Sequence, residues 1–286
     1  MNIFQILIGI TILLCSATRP VLYKPAAQYF PTKLSSAFTS TWLVIGLIAT
    51  FPIFGNLITN NITIIVSSPQ TLLSILKGIL LFMMIKFQQE VNKESTSSSV
   101  FFGFIALSLS SLVVNCFFKE GLSIIALSCI CGFGMLGTLF FLMGDAKRLS
   151  LKGRIAFTII VLLSATMTVI DHIVILKINW YPHLFITSLT MFLCCFVSGI
   201  SKQDFKNIIK NKTTALAGFF YVISEFLVIY SSVNILPVSF VSLFNRLAAP
   251  VVMLFSALKY HEQTWKNQMI FGILAILLTI PIIFYK

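Results

Sequence analysis

The chain has 286 residues, 58% hydrophobic and only 10% charged, with a mean hydropathy of +0.99. A soluble globular chain is about 45–50% apolar and about 25% charged, so this composition excludes a soluble domain and predicts an all-α integral membrane protein. The net charge of +12 comes mostly from lysines and arginines in short links between apolar runs, a distribution that carries membrane topology and argues against a nucleic-acid partner.

Ten apolar runs follow one another: 3–23, 35–55, 69–88, 98–118, 121–144, 153–178, 182–200, 213–233, 236–259 and 266–285. A spanning helix takes about 20 apolar residues and a barrel strand only about 9–11, so each run predicts a helix and the lipid bilayer is the first partner. No basic segment precedes the first run, so it reads as a span and not as a secretory signal. The longer polar links are 89–97, 145–154 and 201–212. The six cysteines all fall in apolar runs and read as small packing residues.

The list divides into five spans and five, 1–147 and 148–286. LLCSAT at 13–18 is echoed by LLSAT at 162–166, and YFPTKL at 29–34 by WYPHLF at 180–185. An odd number of spans per half turns the second half over in the membrane. The expected architecture is therefore ten transmembrane helices as two inverted five-helix repeats, with a site at the midplane between them. Odd-numbered loops hold thirteen Lys and Arg, against three in the even loops and tails. By the positive-inside rule this puts odd loops in the cytoplasm and both termini outside.

Residues 236–265 read LPVSFVSLFNRLAAPVVMLFSALKYHEQTW, with Pro250 inside the run and Asn245–Arg246 just before it. Glu262, Gln268 and Gly272 follow in order, and the first half has Glu120 in FFKEGLS. In this layout the chain resembles the EamA-like family of the drug/metabolite transporter superfamily. The resemblance implies a transporter built of two five-helix repeats, in a bacterial inner membrane, with both termini cytoplasmic. That orientation opposes the loop charges, and both stand at this point. The glycine that the resemblance leads one to expect before each Glu is replaced by Lys119 and His261, and no proline stands in the first half where Pro250 would map.

Ionisable groups inside spans are costly and mark polar interiors. Arg19 in the first run either meets an anionic group in a cavity or snorkels to headgroups. Lys77, with Ser74 one turn before it, lies deep in the third run. Ser108, Ser111 and Asn115 form one stripe in the fourth, for a cavity wall or for hydrogen bonds between helices. Asp171 and His172 sit together in the sixth, after Thr168. They suit proton coupling, an ammonium contact or a structural ion pair with an arginine. Tyr221 and Glu225 share a face of the eighth run, with Glu225 near its centre. Asn245 and Arg246 belong to the ninth. Arg246 presents a planar fork to a carboxylate or phosphate, or neutralises Glu225 or Asp171. Glu120 and Glu262 read as local caps.

No metal-ligand spacing, phosphate loop or nucleophile motif is present, so neither a cofactor nor an enzyme activity is expected. A lining with charges of both signs suits a small zwitterion such as an amino acid, carried by alternating access. An organic anion, a phosphorylated metabolite or nucleotide, and a non-transporting scaffold are the alternatives. Titratable Asp171 or Glu225 would allow proton coupling.

Overall fold

The computed structural model describes residues 3–29, 34–96, 98–118, 122–236, 238–260 and 265–284. Lys33, Lys119, Glu120, His261 and Glu262 lie outside the described residues, as do the side chains of Tyr23, Trp265 and Gln268. Among the described residues all regular structure is helical. This follows from the solvent: within lipid every backbone polar group must be satisfied internally, which a single helix does along its own length.

The helices are α1 (Ile3–Tyr29), α2 (Ser35–Phe54), the short α3 (Asn56–Thr59) and α4 (Ile62–Ser67), α5 (Gln70–Glu94), α6 (Ser98–Phe118) and α7 (Ile124–Met143). Then come α8 (Leu151–Ile178), α9 (Trp180–Val197), α10 (Lys202–Lys210), α11 (Lys212–Asn234), α12 (Val238–Arg246), α13 (Ala248–Tyr260) and α14 (Trp265–Phe284). Eight stretches are long and apolar enough to cross a membrane, and two shorter apolar stretches, Phe240–Phe255 and Met269–Pro281, follow them. The chain is thus an all-helical membrane protein with eight such spans among the described residues.

Three departures from the sequence expectation have local causes. Run 236–259 is two helices meeting at Leu247. Pro250 has no N–H for the carbonyl of Arg246, and its ring crowds that carbonyl, so the helix is interrupted one turn before the proline. The link 89–97 is largely helix, because α5 continues to Glu94. Gln89 and Asn92 are buried there. Glu94 accepts hydrogen bonds from Ser150 N at 2.8 Å and Ser150 Oγ at 2.7 Å, which ties the end of α5 to the start of α8. The link 201–212 contains α10, opened by a reciprocal capping box between Ser201 and Asp204.

The helices pack across the two halves of the chain. α1 lies along α11, α5 along α8 and α9, α2 along α9 and α11, and α6 against α7, α8 and the α12–α13 pair. α14 closes the bundle against α7 and α13. The core is rich in phenylalanine. Phe101 stacks on Phe140 with ring centres 4.0 Å apart, and Phe104 meets Phe133 at 5.0 Å. α7 comes close to α6 at Gly134, where a Cβ would sit 2.6 Å from Ser108 Oγ. Ser108 and Ser111 are buried, and Ser108 lies at this contact between helices. The outward faces are apolar, with Ile48, Leu72, Leu162 and Val197 exposed, as suits lipid contact. Cys15 and Cys195 are buried, whereas Cys116 is exposed and so departs from the packing role expected of it. Trp180, the first residue of α9, is buried among Phe54, Tyr181 and Tyr230 in an aromatic cluster.

Candidate functional site: a charged cavity inside the bundle

A cavity of about 120 Å³ opens between α1, α2, α5, α6, α8, α11 and α12. Arg19, Lys77, Asp171, Tyr221, Glu225, Asn245 and Arg246 all line it. Seven of the nine side chains singled out in the sequence therefore converge on one space. Asn115 and His172 do not line it. His172 faces the ring of Phe118, 5.0 Å between centres. Consecutive helical residues diverge by about 100°, so with Asp171 on the cavity His172 points elsewhere.

Two ion pairs cross the cavity. Lys77 Nζ lies 2.5 Å from Asp171 Oδ1, with Lys77 only 6% and Asp171 21% exposed. Arg19 Nη1 lies 3.9 Å from Glu225 Oε1 and its guanidinium sits over the ring of Tyr221 at 4.7 Å. The first pair joins α5 to α8 and the second joins α1 to α11. In both, the cation comes from the first half of the chain and the carboxylate from the second. Ser16 Oγ and Ser164 Oγ mark the same register of the two SAT echoes. Ser16 bonds Ser224 at 2.7 Å, while Ser164 accepts from Arg246 Nη2 at 2.6 Å.

Arg246 has no carboxylate within ion-pair distance among the described residues. Its guanidinium lies 5.5 Å from the centre of the Phe102 ring, a cation–π contact. Gly103 makes the room: a Cβ there would lie 2.5 Å from Arg246 Cδ. Arg246 Nε and Gln89 Nε2 are buried and find no acceptor among the described residues. Both residues line the cavity, so a side-chain shift that uncovers these two donors would offer them to oxygen atoms that enter it. Their availability comes from folding and had no sequence signal beyond the residue types.

His183 was not foreseen as a site residue. Fully buried, it accepts or donates at both ring nitrogens: Nε2 lies 2.7 Å from Asp171 Oδ1 and Nδ1 2.8 Å from Ser74 Oγ. Its position near the start of α9, beside Trp180 and Tyr181, resembles a span end in the sequence, and only the packing of α9 against α5 and α8 brings it to Asp171. Among the described residues no group of three or more metal-ligating side chains gathers.

The fold and cavity define a multi-pass helical membrane protein with a charged interior. No protein-family model matches the chain, and no curated protein matches its sequence.

Proposed function

We propose that the chain is a secondary transporter that carries a small polar metabolite, an amino acid or a related zwitterion, through the cavity by alternating access. The observation that carries this reading is the cavity's lining, with three cations and two carboxylates drawn from both halves of the chain. Buried charge of both signs around one space is expensive in a membrane and marks a substrate or ion path. The volume limits the cargo. At about 10–15 Å³ per water, the space holds on the order of ten waters, which fits an amino acid better than a nucleotide. A substrate carboxylate has Arg246 and Gln89 as donors; a substrate ammonium has Glu225, whose ion pair is the looser of the two.

The resemblance to EamA-like transporters implies ten spans in two inverted repeats, 1–147 and 148–286, in a bacterial inner membrane. The packing supports the repeats. Taking the α12–α13 pair as one span, the three most extensive partnerships have counterparts with the halves exchanged. α1 on α11 answers α5 on α8, α6 on α7 answers α13 on α14, and α5 on α9 answers α11 on α2.

A second reading, an organic-anion carrier, is favoured by the excess of cations and by Arg246 having no carboxylate partner among the described residues. Thermal stabilisation of the purified protein separates the two. A ligand at about 100 times its Kd adds about 2.7 kcal/mol to the folded state. Amino acids are expected to raise Tm for the wild type but not for Arg246→Ala or Glu225→Gln. Stabilisation by dicarboxylates alone, lost in Arg246→Ala and kept in Glu225→Gln, selects the anion carrier. Stabilisation absent for both classes, with both variants indistinguishable from wild type, selects a scaffold.

A further inference from the structure

Resting on the transporter reading for its purpose but not for its chemistry, we infer that Asp171 and His183 form a proton-binding site beside the substrate space. Asp171 is the face of this site open to the cavity; His183, fully enclosed, is not among the cavity's lining residues. Three groups converge on the site: Lys77 Nζ and His183 Nε2 both approach Asp171 Oδ1, at 2.5 and 2.7 Å, and Ser74 Oγ approaches His183 Nδ1 at 2.8 Å.

The arrangement accepts either protonation state without moving a heavy atom. With a neutral ring, Nε2–H donates to the carboxylate and the Ser74 hydroxyl donates to Nδ1. With one more proton the ring donates from both nitrogens. Ser74 Oγ then accepts from Nδ1–H, and its own hydrogen turns to the carbonyl of Gln70, 3.3 Å away. In both states each ring nitrogen of His183 keeps a hydrogen-bond partner, which removes one of the costs of charging a buried group. A hydronium ion reaching the cavity gives its proton to the pair through Asp171, leaving water behind. Whether it is written on the carboxylate or on the ring, the pair has gained one proton and one positive charge.

The surrounding charges are few. Lys77 on α5 is the nearest, and Arg19 on α1, Tyr221 and Glu225 on α11 and Arg246 on α12 face the same cavity. From α2 and α6 the lining is Ser35, Phe38, Thr39, Ser99 and Phe102, none of them titratable. On α9 itself Tyr181 donates to Leu47 O at 2.9 Å, and Cys194 and Cys195 lie about three turns further along.

Two measurements test the inference. The first needs no substrate. In nanodiscs, a chain carrying His172→Gln and His261→Gln leaves His183 as the single histidine, and its imidazole ¹⁵N shifts are followed from pH 5 to 8.5. The neutral pattern is expected to pass to the cationic one, with a midpoint displaced by Asp171→Asn. A ring that keeps one pattern throughout overturns the proposal. If the double variant does not fold, the same titration is run on the wild-type chain, with the His183 signals identified by their loss in His183→Gln. The second uses proteoliposomes and a ¹⁴C-labelled mixture of the twenty protein amino acids. Wild type is expected to exchange label without a gradient and to accumulate it at least fivefold with one. His183→Gln is expected to exchange but not to accumulate. Exchange without accumulation in wild type removes the coupling and leaves the carrier standing. No exchange removes the amino-acid carrier reading, while the histidine titration still decides the proton site.

Discussion

Lys77 holds a carboxylate that the membrane would otherwise reject, so its loss is expected to matter more than that of any other cavity cation. Removing one partner of a buried pair typically costs about 3–5 kcal/mol. Lys77→Ala is therefore expected to lower stability by about that much in a detergent unfolding titration. Lys77→Met combined with Asp171→Leu is expected to recover only part of the loss, since Asp171→Leu takes from His183 its partner at Nε2. Gly103→Ala is the quieter test. It leaves every charge in place but pushes Arg246 off Phe102, and amino-acid stabilisation of the protein is expected to fall at least tenfold in apparent affinity with little change in Tm without ligand. The charged cavity residues were legible in the sequence, since a charge in an apolar run announces itself. Gly103, Ser164 and His183 were not, because their roles exist only where α6 meets α12, α12 meets α8 and α9 meets α8. His172 was misleading for a simple reason: adjacency in sequence separates side chains on a helix.

At the scale of elements, the interruption at Leu247 sets the direction in which Arg246 leaves the backbone. Pro250→Ala restores an N–H and removes the clash with the i−4 carbonyl. Helical continuity from α12 into α13 is expected to follow, read as slowed amide exchange at residues 247–251, together with loss of amino-acid stabilisation. α10 is a separate case. Its S-x-x-D opening was readable as a capping box, yet the link looked too polar to count as structure. Ser201→Ala is expected to cost about 1 kcal/mol of local stability, seen as faster exchange confined to α10. The extension of α5 through Gln89 and Asn92 was hidden for the opposite reason, since polar residues at a span end resemble a loop until a polar cavity gives them somewhere to face.

For the whole molecule, the apolar runs and their order announced the helices, but the partners of each helix came from packing alone. The phenylalanine core makes this bundle sensitive far from the cavity. Phe101→Ala removes the ring stacked on Phe140 and is expected to cost about 3–5 kcal/mol, measured by unfolding, with the cavity's ligand preference unchanged. A different consequence follows from the sign of the two ion pairs. Arg19 and Lys77 belong to one half of the chain and Glu225 and Asp171 to the other, so the halves meet like oppositely charged plates. On the transporter reading proposed above, the plates cling with nothing between them, and reorientation of the empty carrier is expected to be the slow step. On the same reading, a zwitterionic cargo is expected to supply both counter-charges at once and so to act as a lubricant. Counterflow in the presence of internal substrate is therefore expected to run several-fold faster than net uptake into empty vesicles, and charge-neutral replacement of both pairs is expected to erase that difference.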